Sequence, residues 1–121
     1  MGLSAVMLAK ALGADKLIGV EMNEYRIELA KKLGLVDYVF KPGEDTLEEI
    51  LAVTGGKGVE RAIDASANDS GRQLAIRATR EWGRIAFVGE GGTCTFNPSP
   101  DIIHGQKTIY GSWVTSLWRM E

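Results

Sequence analysis

One cysteine, Cys94, and one histidine, His104, are all that the 121 residues offer of the two side chains on which disulfide frameworks and most zinc sites are built. A lone cysteine excludes an internal disulfide, and one of each excludes a Cys/His zinc site within a single chain, so a reducing compartment is the default expectation. Proline is scarce, at three residues, and no apolar run reaches the length of a membrane span. The start of the sequence has no basic stretch ahead of an apolar core and no small-residue cleavage site, so the chain reads as soluble and cytoplasmic. An excess of one charge is lacking too. Fourteen basic and sixteen acidic residues are interspersed and leave a formal net charge of −2, which removes the electrostatic footprint expected of a DNA- or RNA-binding protein.

What is present is ordinary for a soluble globular domain: 45% apolar and 25% charged residues, with fifteen glycines that imply many turns. The length suits one domain able to bury its own core. In MGLSAVMLAKALGADK, small and apolar residues (Leu3, Val6, Met7, Ala11) fall at helical spacing from Gly2 onward, predicting an amphipathic helix closed by the turn GADK. Leu17 to Val20 is short and continuously apolar, as a strand buried on both faces would be. Asn23 is a good N-cap for a helix with Glu24 in its first turn, an apolar stripe at Ile27, Ala30 and Leu33, and Gly34 as its C′ residue. Tyr38 to Phe40 predicts a second strand, and Asp45 with Glu48 a capping box for a helix through Val53. The alternation continues with a strand over Val59 to Ala65, a helix over Ser70 to Arg80 and a strand over Arg84 to Val88. A helical turn around Asp101 to His104 and a last strand over Thr108 to Tyr110 complete the pattern. Such spacing implies βαβ crossovers and a parallel sheet covered by helices.

The stretch that carries chemistry is LIGVEMNEYRIELAKKLG, where a buried strand ends at Glu21 and a capped helix comes next. In doubly wound α/β folds ligands sit at the carboxyl ends of the strands. An acid ending the second strand accepts hydrogen bonds from a ribose 2′-hydroxyl and repels a 2′-phosphate, favouring NAD over NADP. The plainer reading of Glu21 is a solvated acid at a strand mouth. Arg26 covers an adenine face, accepts a 2′-phosphate or is an exposed helix residue, and the sequence leaves these open. GGKG at Gly55 to Gly58 is not a phosphate loop, because Val59 stands where Ser or Thr is required and the glycine spacing ahead of it is wrong. Trp82, Trp113 and Trp118 fit packing or oligomer contacts better than a ligand box.

Several segments in the right order resemble the nucleotide-binding domain of the zinc-type medium-chain alcohol and polyol dehydrogenases. GLSAVMLAKALGA resembles the segment immediately after the family's GxGPV glycine turn, and GVEMNEYRIELAKKLG resembles the ribose-binding strand and its helix. VERAIDASA, GRIAFVGEGG and TIYGSW resemble the fourth, fifth and sixth strands. The resemblance implies an α/β fold with a doubly wound, Rossmann-like parallel sheet of order 3-2-1-4-5-6. It aligns Gly2 with the third fingerprint glycine, so the first, central strand and the other two glycines are expected to be lacking, and with them the domain that carries the catalytic zinc. Residues 1–121 are then one truncated dinucleotide-binding domain.

The cofactor-binding residues so implied are Gly2 and Leu3 at a helix N-terminus with free N–H groups, Glu21 and Arg26 at the ribose, and Ser66, Val88 and Gly89 at the strand ends approaching the nicotinamide half. No catalytic or metal-binding residue is implied. Cys94 reads as a small semi-buried thiol and His104 as a surface or capping residue. The expected function is NAD binding, without zinc and without competence to turn over an alcohol alone. The alternative is a non-catalytic, self-associating structural protein. A methyltransferase would share the acid at the second strand but needs a glycine loop that is absent, and a subunit complemented by a separate catalytic chain is a further possibility. A gap at the centre of the sheet predicts homo-oligomerisation, most simply a dimer formed through sheet edges or strand exchange.

Overall fold

A computed structural model describes residues 1–113 of the chain; residues 114–121, with Trp118 among them, lie outside the described residues. Helix and strand alternate in the order α1 (Gly2–Ala11), β1 (Ile18–Val20), α2 (Glu24–Lys32), β2 (Tyr38–Phe40), α3 (Thr46–Val53), β3 (Val59–Asp64), α4 (Asp69–Ala78), β4 (Thr79–Phe87) and β5 (Thr108–Gly111), with a single π-helical turn at Ser99–Ile103. The chain divides into two compact units, Met1–Gly58 and Val59–Glu121.

In the first unit β1 pairs in parallel with β2, Ile18 opposite Tyr38 and Val20 opposite Phe40. In the second, β3, β4 and β5 form a parallel sheet in that order. Parallel neighbours joined through helices make this an α/β fold. The two sets of pairings are those that the order 3-2-1-4-5-6 leaves when its first strand is taken out.

Local chemistry explains most boundaries. Asn23 holds extended backbone and its Oδ1 accepts the N–H of Arg26 at 3.2 Å, starting α2 where the sequence predicts. The helix ends in a Schellman motif: Gly34 takes a φ of 60°, its N–H donates to Lys31 O, and that of Leu35 donates to Ala30 O. The buried stripe of α2 is Ile27 and Ala30, and α3 contributes Ile50 and Thr46. The second unit is centred on Ile76 and Ile85, both fully buried.

Three expectations are corrected. The opening helix forms from Gly2, but not as an amphipathic one: none of its residues is buried, Leu3 and Val6 are half-buried, and Met7 and Leu8 are exposed. No capping box starts α3. Asp45 is already in helical conformation and its side chain caps nothing; instead buried Thr46 donates its hydroxyl to Lys41 O at 2.8 Å and fixes the entry. The boundary between α4 and β4 lies earlier than the predicted Arg80 and Arg84. Thr79 turns extended, its hydroxyl closes the helix by donating to Ala75 O at 2.7 Å, and β4 begins there. Between the Val59–Thr79 and Arg61–Arg84 pairs the register shifts, so residues 80–83 loop out as an irregular excursion.

Candidate functional site

In the first unit the candidate site is built around Glu21, directly after β1. Its N–H donates to Phe40 O at 3.1 Å, so the residue stays tied to β2 although the strand has ended. Its Oε1 accepts the N–H groups of Met22 and Asn23 at 2.9 and 3.0 Å, and its Oε2 stands 3.6 Å from Arg26 Nη1. The Asn23 amide above all, with smaller help from that of Met22 and from the Arg26 guanidinium, holds the carboxyl below its ordinary range, although burial, second in size only to the Asn23 bond, opposes them. Glu21 is therefore an ionised, acceptor-only group whose direction is set by the backbone amides of the next two residues. With the side chain one-third exposed, lone pairs remain for hydroxyl donors from solvent or ligand. Arg26, predicted as its neighbour, is brought to it and is itself mostly exposed. Gly2 and Leu3 open α1, whose N-terminus no side chain caps; no atom lies within 4 Å of where a Gly2 Cβ would stand.

The second unit gathers Ser66, Val88 and Gly89 around a residue that ends β3, Asp64. Asp64 is 5% exposed. Its Oδ1 accepts the Ser66 hydroxyl at 2.6 Å and the Ser66 N–H at 3.2 Å, its Oδ2 accepts the Ala67 N–H at 3.3 Å, and its backbone carbonyl accepts the N–H groups of both Val88 and Gly89. The predicted trio thus meets, but its donors are already engaged within the protein.

Beneath these loops lies Arg72, which the sequence reading missed. It is 8% exposed and its guanidinium donates from Nη2 to Gly89 O at 2.8 Å and from Nη1 to Thr93 O at 3.1 Å. The guanidinium also stacks 5.4 Å above the Phe87 ring, and Nε lies 3.4 Å from Asp64 Oδ2, an ion-pair contact without a hydrogen bond. A signal existed: Arg72 and Ile76 share the buried stripe of α4 at i and i+4, and an arginine in a core stripe calls for an acid nearby.

Cys94 is half-buried, and burial, followed by the charge of Asp69, pushes its thiol up, which makes it a poor nucleophile at neutral pH. His104 is exposed, and its N–H donates to Ser99 O at 2.9 Å. Trp82 and Trp113 are both largely exposed rather than packed. Among the described residues, no three His, Cys, Asp or Glu side chains are grouped to hold a metal ion. No described helix is long and apolar enough to cross a membrane.

Parallel strands joined through helices are those of a Rossmann-like α/β fold, and residues 1–121 belong to the zinc-binding dehydrogenase family. The chain is 43% identical over its whole length to the uncharacterized zinc-type alcohol dehydrogenase-like protein YphC of Escherichia coli, of which it covers 34%. It is 35% identical, over 98% of its length, to 34% of the L-threonine 3-dehydrogenase of Pyrococcus horikoshii. Among solved structures, benzyl alcohol dehydrogenase from Acinetobacter calcoaceticus superposes with a TM-score of 0.83 at 34% identity, over 93% of this chain and 31% of that one. The chain thus spans about a third of the length of these relatives.

Proposed function

We propose that this chain binds NAD through the ribose diol of its adenosine half, as part of a dehydrogenase that oxidises an alcohol. The observation that carries the reading is the Glu21 carboxylate, ionised and oriented at the end of β1 by the N–H groups of Met22 and Asn23. A fixed anion there accepts from the 2′- and 3′-hydroxyls without reorganising, and it opposes the extra phosphate of NADP. A solved relative described as an NAD-dependent alcohol dehydrogenase, 30% identical with a TM-score of 0.81, supports the same cofactor. When bound, the nicotinamide supplies the hydride acceptor; the residues of this chain bind and orient.

The test is a fluorescence or calorimetric titration with NADH and NADPH. Hydrogen bonds to a charged acceptor contribute about 1.5–3 kcal/mol, so Glu21→Ala should weaken NADH binding about tenfold or more and narrow the preference over NADPH. No saturable binding by the folded wild type at millimolar NADH would refute the reading.

A further inference from the structure

We propose that the open face of the β3–β4–β5 sheet docks a partner helix that is apolar where it meets the sheet and carries carboxylates one turn away. Side chains alternate across a sheet, so the register assigns each residue to a face. Asp64 meets Arg72 of α4, and the same guanidinium lies over Phe87, so Asp64 and Phe87 face α4, as do Ala62 and Ile85 two residues before them. The opposite face carries two rows of directly paired residues, Arg61–Arg84–Thr108 and Ile63–Ala86–Tyr110. Burial follows the same division. Asp64 and Ile85 are buried, whereas Ile63 is 53% exposed and Tyr110 49%. Parallel sheets as a rule have both faces covered by helices. In the second unit the helix packed on β3 and β4 is α4, and it lies on the other face.

Charge selects the occupant. Arg61 and Arg84 are exposed and stand directly opposite each other on neighbouring strands, about 4.8 Å apart at the backbone. Like charges so placed destabilise a ladder. Among the described residues neither makes an ion pair, although Arg72, Arg77 and Arg80 each do. Two guanidiniums beside an apolar row call for carboxylates beside apolar side chains. The rows are two residues apart along the strands, about 6.6 Å, which is close to the helical pitch of about 5.4 Å. A helix lying along the strands therefore sets apolar residues over Ile63, Ala86 and Tyr110 and its acids, one turn on, over Arg61 and Arg84. A second copy presenting this face would set arginine against arginine. The formal net charge of −2 does not attract an acidic partner, so the attraction is local to this row.

The experiment uses the full chain as wild type and as the double variant Arg61→Glu with Arg84→Glu, each checked for folding by circular dichroism. The probes are two fluorescein-labelled amphipathic helices, one of leucine and glutamate and one of leucine and lysine, followed by anisotropy. The wild type should bind the glutamate helix saturably and in preference to the lysine helix, against the sign of its own net charge. In the double variant the glutamate helix should bind at least tenfold more weakly and the preference should reverse. If that variant does not fold, Arg61→Gln with Arg84→Gln decides the matter by the same tenfold loss. Failure of the wild type to bind the glutamate helix, equal binding of both helices, or an affinity that the substitutions leave unchanged would overturn the proposal. So would a dimer in light scattering, or capture by phosphatidylglycerol vesicles, that the double variant abolishes, because the face would then belong to a second copy or to a membrane.

Discussion

Backbone strain at one exposed residue offers the simplest test of the local structure. Trp82, in the excursion of β4, holds a φ of 61° while 70% exposed, and its N–H donates to Gly105 O at 2.8 Å. A left-handed conformation costs a residue with a Cβ about 1–2 kcal/mol, whereas glycine adopts it freely but loses about 0.5–1 kcal/mol more chain entropy on folding. The exposed indole returns little in burial, and the N–H bond survives the exchange. Trp82→Gly should therefore leave the fold intact and raise its stability by up to about 1 kcal/mol, read as a higher urea midpoint at unchanged slope. At the next residue glycine is already in place. A Cβ on Gly83 would stand 2.3 Å from Thr79 Cγ2 and 2.8 Å from Arg80 O, so both neighbouring positions favour glycine, one by conformation and one by space.

At the scale of elements, the π-helical turn Ser99–Ile103 is held to α4 by one buried acid. Asp101 accepts the Asn97 N–H at 2.9 Å and stands 3.4 Å from Arg77 Nε, while Lys107 donates to Ile76 O at 2.7 Å near the end of the same helix. The Asn97 amide, then Arg77 and Lys107, hold the Asp101 carboxyl below its ordinary range although burial opposes them. Because its pKa is lower folded than unfolded, its contribution to stability is complete above about pH 4 and is lost as the pH falls through the folded value. Asp101→Asn should be less stable than wild type at pH 7. Its urea midpoint should fall less between pH 5 and pH 3, and equal pH slopes for the two proteins would contradict the assignment.

The same turn shows how far the sequence could be read. A helical turn near Asp101 was legible, and so were α2 with its Asn23 cap and Gly34 terminus, β2 to the residue and the last strand, because caps, glycines and apolar runs act locally. The α4–β4 junction was not, since Thr79 closes the helix by a side-chain bond that competes with good helix formers around it. In the first unit, the place of Glu21 between the strand and the Asn23 cap was legible. The Asp64–Arg72 pair was hidden because it acts only once the ends of β3 and β4 lie side by side.

On the scale of the whole molecule, the two units carry unequal means of holding themselves together. The first has a two-stranded sheet of three-residue strands and buries Ile27, Ala30 and Ile50; the second has three paired strands and buries Ile76, Ala78, Ile85 and the Asp64–Arg72 pair. Two-stranded sheets are marginal without helices packed on them, and local opening tracks the least buried region. Amides of β1, β2 and α2 should therefore exchange faster than those of β3, β4 and α4. Glu21 is bonded to Phe40 and to the cap of α2, so a ligand it holds can stabilise the first unit only while β1, β2 and α2 keep their native arrangement. NADH at a hundred times its dissociation constant should add about 2.7 kcal/mol against any opening that destroys the site, slowing exchange through it about a hundredfold. Hydrogen exchange with and without NADH separates this from binding elsewhere: protection must rise in residues 18–40, and a saturable NADH complex that leaves those amides unchanged would remove Glu21 from the cofactor site.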